Sequence, residues 1–224
     1  MRNRPEITAS KGSDQEACPR LEVWDGSFSA RLLDPRFPDD VERARAFRHE
    51  VFLEELGWSL PDGPQQEVDE YDQHSVHFGA FAESPQMAGY CRLILPVGNF
   101  MIEKDFSDLV APDYSIRKQS DTVEISRFAI HRRLRGKQEG FRLIAVLLRC
   151  VYSWAKANQV RYIYGVCASD HLSFVQGAFS CCDSIGPAYQ YQPGIFSSAL
   201  RVDLGKLDVE KVKDFWSQVV GKPR

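Results

Sequence analysis

No stretch of this chain approaches the roughly 20 consecutive apolar residues that a bilayer crossing requires. Its start, MRNRPEITASKGSDQEACPR, lacks the apolar middle of a secretory signal. A cytoplasmic protein with no stable membrane insertion is expected. Cysteine is sparse: Cys18, Cys91, Cys150, Cys167, Cys181 and Cys182 show no Cys-x-x-Cys spacing and sit mostly in apolar segments, which suits reduced core thiols better than disulfides or zinc. The histidines form no helical ligand pair, so no metal site is expected. The Gly-x-Gly-x-x-Gly fingerprint, the phosphate loop ending in Gly-Lys-Ser/Thr and the Gly-x-Ser-x-Gly elbow are missing as well, which counts against nucleotide hydrolysis and serine hydrolase chemistry. Charge of one sign is not in excess: 28 Lys and Arg against 31 Asp and Glu leave a formal net charge of −3, with no global pull toward nucleic acid or anionic lipid. The one basic patch is short and carries no interleaved aromatic platform, so no nucleic-acid partner is expected.

What the chain does contain is enough for one domain of 224 residues with a sizeable core. Residues 1–24 are polar and read as a flexible tail, and 25–224 as the domain, ending in an amphipathic helix over 206–220. The chain is organised around residues 124–130, EISRFAI, a strand with polar groups on it. The basic turn HRRLRGKQEGF follows, and then a helix with Phe141, Ile144, Ala145, Leu148, Val151, Tyr152 and Ala155 at helical spacing. A strand, a basic Gly-containing turn and a helix make an anion cradle, because N–H groups at a helix N-terminus face a phosphate.

Upstream, 28–33 alternates as a first strand, Asp39 or Asp40 is placed to cap a helix that breaks near Gly57, and 76–81 with 87–95 reads as a hairpin. Between helix and hairpin lies the acidic run EVDEYD, which invites arginines or a cationic ligand. Downstream, 160–167 reads as a strand, Asp170 as the cap of a helix through Phe179, and 182–204 as two strands around a Pro-Gly turn. Strands interleaved with helices predict an α/β fold, a mixed central sheet flanked by helices.

Four motifs occur in order: R-x3-F-x5-W at Arg48, Phe52 and Trp58; E-x-D-x-Y-D from Glu67, with Asp69 and Asp72; G-x2-R-L-x2-P from Gly89 to Pro96, with Arg92; and E-x-S-R-F at Glu124, Ser126, Arg127 and Phe128. In these the chain resembles the acyl-homoserine-lactone synthases, within the wider GNAT-like (acyl-CoA N-acyltransferase) fold, over roughly residues 28–204. Residues 69–78 and 92–96 are also close to the exosortase-associated (PEP-CTERM) acyltransferases. A partial GNAT pantetheine motif, R/Q-x-x-G-x-G/A, reads Arg133-Leu-Arg-Gly136-Lys-Gln138.

The resemblance implies a single GNAT-like domain. It further implies transfer of an acyl group from an acyl-carrier-protein or coenzyme A thioester to the amine of S-adenosylmethionine, with lactone closure expelling methylthioadenosine and with both substrates the only cofactors. The alternative is an N-acyltransferase acting on an amino acid or other small amine without lactone formation. A non-catalytic acyl-binding sensor is a third reading.

Within that frame Glu124, Asp69, Asp72 and Arg127 are the candidate catalytic set, since a carboxylate near the amine raises its effective concentration as a nucleophile. Arg48 and Arg92, with Arg127, pair those carboxylates or bind the substrate's own. Phe52 and Trp58 cover the adenosyl group or serve as plain core. The backbone N–H groups of Phe128 and Ala129 are candidates for the oxyanion. Arg132, Arg133, Arg135, Gly136 and Lys137 would take the pantetheine arm and an acidic carrier, with Arg142 adding to the field. Leu147, Val166, Phe174 and Phe179 are candidate walls for the acyl chain.

Overall fold

The alternating apolar residues of 28–33 form a strand, but it is the second one. In the computed structural model, which describes residues 21–58, 67–82, 86–192 and 194–220, β1 (Glu22–Asp25) pairs antiparallel with β2 (Phe28–Leu32) through a two-residue turn at Gly26, φ 60. The expected tail boundary at residue 24 therefore falls inside a strand. Residues 1–20 lie outside the described part.

Helix α1 (Pro38–Arg48) starts without the expected carboxylate cap. Phe37 is its N-cap, Pro38 fills the first helical position where no N–H is needed, and Asp40 instead accepts a hydrogen bond from Arg31 Nη2 at 2.8 Å. The helix does not run straight to Gly57. It widens into a π-helical turn, His49–Glu55, and His49 Nε2 lies 3.2 Å from Glu54 Oε1, five residues on. Gly57, φ 66, ends it.

The hairpin is formed by β3 (Ser75–Phe81) and β4 (Met87–Ile94); a short α2 (Met101–Lys104) and β5 (Thr122–Ile130) follow. The amphipathic stretch becomes α3 (Gln138–Ala157), followed by β6 (Tyr162–Ala168) and α4 (Leu172–Phe179). Asp170 does not cap α4: residues Ser169–His171 form a 3-10 turn, His171 is the N-cap, and Asp170 is exposed. Three strands rather than two close the sheet, β7 (Cys182–Ser184), β8 (Tyr189–Gln192) and β9 (Ile195–Asp203). The terminal helix α5 is Val209–Val220, with 3-10 turn Leu204–Lys206 where the helix was expected to begin.

The sheet runs β1-β2-β3-β4-β5-β6-β9-β7, with β8 on β9. Every pairing is antiparallel except β5 with β6, which is the mixed sheet expected. Helix α3 lies across β1, β2 and β3 and buries Leu143, Val146, Leu147, Cys150 and Val151 against Phe78 and Leu93. Leu147 is fully buried in that core, so it lines no acyl channel in this arrangement. A second core forms around Phe100, Ile102, Leu109 and Tyr164, and a third under α1 around Phe47, Val51, Phe52 and Tyr90. Among the described residues no helix is long and apolar enough to cross a membrane.

Two irregularities in β5 set up the site. Pairing with β6 stops at Ile125–Gly165, so the strands separate beyond it. On the other side the register with β4 shifts between Tyr90–Ala129 and Arg92–Ser126, a bulge at which Arg127 takes φ 52. A non-glycine residue in the left-handed region stores roughly 1–2 kcal/mol.

Candidate functional site

The spacing E-x-D-x-Y-D has a local cause. Asp69 caps the 3-10 turn Glu70–His74: its side chain accepts from Tyr71 N at 3.0 Å, and Asp72 returns the bond, accepting from Asp69 N at 3.0 Å. Tyr71 points into the core and donates its O–H to Asp105 at 2.8 Å. The turn thus presents Glu67, Asp69 and Asp72 together toward the sheet.

Three arginines from three other elements answer them. Arg48, at the end of α1, bonds Glu67 and places Nη1 2.6 Å from Asp72 Oδ1. Arg92, in β4 and fully buried, forks onto Asp69 at 2.5 and 2.7 Å, reaches Asp72 at 2.5 Å, and donates from Nε to Ser126 Oγ at 2.8 Å. Arg127, turned inward by the bulge, reaches Glu67 at 2.7 Å and Asp69 at 3.0 Å. Three formal positive charges meet three negative ones, so burial leaves no uncompensated charge.

Burial alone would raise the Asp72 carboxyl, but the Arg48 hydrogen bond and the charges of Arg48 and Arg92 prevail and hold it down at about 2. Burial works against the charge of Arg92 too, and Asp69 and Asp72 outweigh it. Behind the network a cavity of about 160 Å³ opens between α1 and the sheet. Tyr90 Oη and His77 Nδ1 share a hydrogen bond of 2.6 Å there, and burial, against the pull of Asp72, keeps the imidazole below its usual range.

The front of the network is aromatic. Phe52, buried on the π-helical turn, packs on Trp58 with ring centroids 5.3 Å apart, and the Arg127 guanidinium lies 5.4 Å from one ring and 5.9 Å from the other. Trp58 is 47% exposed and Phe128 38%, so the arginine is covered by a partly open apolar rim. Phe128 and Ala129, the residues expected to supply oxyanion donors, sit where β5 has left β6.

Glu124 is placed differently from the expectation. It is 1% exposed, and both its oxygens accept from backbone: Met101 N at 2.6 Å and Ile102 N at 3.2 Å. Burial pushes the carboxyl up to about 8, against those two hydrogen bonds and Arg92. In this arrangement the carboxyl is enclosed, and the Met101 whose N–H it accepts places its sulfur 3.5 Å from Arg92 Nη2 and 3.9 Å from Arg127 Nη1.

The basic turn also departs in part. Arg132, Arg133 and Lys137 are exposed, and Gly136 takes φ 70. Arg135, however, is committed: it bonds the Ile130 carbonyl at 2.9 Å and forms an ion pair with Glu55. Arg142 likewise pairs with Asp25 at 3.3 Å. Gly140 is the glycine the turn depends on, since a Cβ there would lie 2.0 Å from the Leu134 carbonyl oxygen. Glu67, Met101, Ser126 and Tyr90 also belong to the site, although none of them is among the candidate site residues expected from sequence. Glu67 and Ser126 carry a signal there, as letters of the acidic and E-x-S-R-F motifs. No group of three or more His, Cys, Asp or Glu among the described residues is arranged to hold a metal ion.

The acetyltransferase (GNAT) domain family matches residues 47–145. An acyl-homoserine-lactone synthase of Aeromonas salmonicida is 29% identical over 142 residues, 62% of this chain and 68% of that protein. One from Pseudomonas fluorescens is 42% identical over 69 residues, 29% of this chain and 35% of that protein. Among solved structures, BjaI, a CoA-dependent acyl-homoserine lactone synthase with MTA, aligns at TM-score 0.67 and 22% identity, covering 87% of this chain and 89% of that one. The synthase LasI aligns at TM-score 0.66 and 18% identity over 79% and 90%. Escherichia coli ElaA aligns at TM-score 0.52 and 15% identity, over 79% of this chain and 98% of that one.

Proposed function

We propose that this chain, which belongs to the acyl-homoserine-lactone synthase family of GNAT-like acyltransferases and is an acyltransferase, acylates S-adenosylmethionine from a phosphopantetheine thioester and closes the product to a lactone. The observation that carries this reading is the position of the Arg48–Arg92–Arg127 and Glu67–Asp69–Asp72 network. It abuts, through the Arg127 bulge, the point where β5 parts from β6. A cationic acceptor is served on one side and an acyl thioester on the other.

In the first step the amine nitrogen attacks the thioester carbonyl. The N–C bond forms, the C–S bond breaks, and the thiol of the carrier leaves. Backbone N–H groups of Phe128 and Ala129 receive the developing oxyanion. An α-amino group has a pKa of roughly 7.7–8.0, so about one molecule in ten is already neutral at pH 7, and a strong enzymic base has only about 1.4 kcal/mol to gain. Asp69, whose side chain is 21% exposed at the edge of the network, orients the amine by charge, and the proton passes to water. Arg127, between Glu67 and the Phe52–Trp58 pair, holds the rim that covers the adenosyl group. In the second step the substrate carboxylate oxygen attacks the carbon bonded to the sulfonium; that C–S bond breaks and neutral methylthioadenosine leaves. Arg132, Arg133 and Lys137 receive the phosphate of the donor arm or the acidic face of its carrier.

Support comes also from the similar solved structures described with MTA, and with SAM and isopentyl-CoA. The test is mass spectrometry of the purified protein with S-adenosylmethionine and acyl thioesters on carrier protein or on coenzyme A. Methylthioadenosine and acylated lactone appearing together, from either donor, is the expected result. Thioester consumed only when free amino acids are added would replace the acceptor and leave an N-acyltransferase without lactone formation.

A further inference from the structure

We propose that Glu50 and Glu55 are positioning residues which lock the acceptor-side π-helical turn to the donor-side basic turn, so that occupation of one side orders the other. This rests on the placement of the donor at residues 131–137 and of the acceptor beside Phe52 and Trp58.

The two segments are about 80 residues apart in the chain and joined twice. His131, buried, presents Nε2 to Glu50 Oε1 at 2.9 Å while its Nδ1 accepts from Arg133 N at 3.2 Å. Arg135 bonds both oxygens of Glu55 and at the same time the Ile130 carbonyl, the last residue of β5. Each of these two side chains is thus held to the backbone of the basic turn on one side and to the π-helical turn on the other. Arg132 lies in the small cleft that Glu50, Glu54 and Glu55 line between them.

The winding of the helix makes this double attachment available. In an α-helix residues five apart point roughly 140° away from each other. Hydrogen bonds reaching to i+5 widen the turn, and His49 with Glu54 already pairs across that interval at 3.2 Å. The same widening lets Glu50 and Glu55 both face the basic turn. Phe52, between them in sequence, is turned inward to Trp58 and Arg127. A shift of the basic turn on binding a phosphate is therefore transmitted to the aromatic rim through two short links, and the coupling is reciprocal.

Hydrogen exchange of the full chain at residues 51–57 tests this, with coenzyme A as the probe. In the wild type coenzyme A is expected to slow exchange there about tenfold, within the usual range of coupling factors. In the double variant Glu50→Gln, Glu55→Gln the protection is expected to vanish, and ligand-free exchange at 51–57 to rise by a similar factor at unchanged melting temperature. The charge swap Glu55→Arg with Arg135→Glu should restore part of the protection, which a merely structural loss would not allow. Equal protection in wild type and double variant, or equal ligand-free exchange, overturns the proposal. If calorimetry finds no coenzyme A binding to the wild type, the donor reading falls, and the ligand-free comparison still decides on the link.

Discussion

At the scale of single residues, the six-membered charge network separates two uses of a buried ion. Arg92 is fully buried, with Asp69, Asp72 and Ser126 as partners. Arg92→Ala leaves three carboxylates, Glu67, Asp69 and Asp72, to two cations, Arg48 and Arg127, and is expected to cost about 3–5 kcal/mol in denaturant unfolding; a loss below about 1 kcal/mol would mean the network is hydrated and loose. Asp72 sits at about 2, below its ordinary 3.8. Its contribution, ~2 kcal/mol, is therefore present above pH 3.8 and lost as pH falls toward 2, and Asp72→Asn should flatten that acid limb. Glu124 has the opposite sign. With its carboxyl raised from 4.5 to about 8, the stability it adds is fully present below pH 4.5 and lost as pH rises through 8. Glu124→Gln should remove this slope in pH-dependent melting. It should keep turnover at pH 6 within about tenfold, because the side chain is replaced by a neutral one of the same shape that holds Met101. A loss of 10²–10⁴, the usual worth of a general base, would return Glu124 to the proton transfer.

At the scale of elements, what could be read depended on whether the signal was local. The hairpin of β3 and β4, the central strand β5 and helix α3 follow from period-2 and 3.6-residue patterns, and all lie close to where those patterns placed them. The capping expectation at Asp40 failed to a competing partner, since Asp40 is taken by Arg31 from β2, and that at Asp170 failed because a 3-10 turn makes His171 the N-cap. The π-helical turn was equally hidden, since its letters, HEVFLEE, suit an α-helix, and the partners of its Glu50 and Glu55 lie about 80 positions away. The pantetheine motif pointed to Gly136, whereas the crowded position is Gly140, against the Leu134 carbonyl. Gly140→Ala is accordingly expected to push the 131–137 turn off the start of α3. A destabilisation of about 1–3 kcal/mol should follow, with the Michaelis constant for the acyl donor rising more than that for the acceptor. Equal changes in both constants would detach the turn from donor binding.

At the scale of the whole molecule, the decisive feature is the separation of β5 from β6, and it was the least legible. It lies beside a bulge at Arg127, a residue in a left-handed conformation that its identity does not favour, paired with Glu67 and Asp69 across the site. The charged residues could be gathered from their motifs, but their assembly from four separate elements around one point is a tertiary fact. Global charge gives a further argument. A net charge of −3 means that the molecule as a whole repels an acidic carrier, so any attraction must come from the exposed Arg132, Arg133 and Lys137 beside the cleft, now that Arg135 and Arg142 are paired with Glu55 and Asp25. Such a local field acts within about a Debye length, roughly 10 Å at 0.1 M salt and 3 Å at 1 M. The double variant Arg133→Glu, Lys137→Glu should therefore raise the Michaelis constant for carrier-bound thioester about tenfold or more at low salt. The effect should shrink toward nothing near 1 M salt, and an uncharged acyl-pantetheine should be used almost as before. An unchanged constant for the carrier-bound donor at low salt would show that the carrier docks elsewhere. A matching rise for acyl-pantetheine would place these cations at the thioester arm itself rather than at the carrier surface.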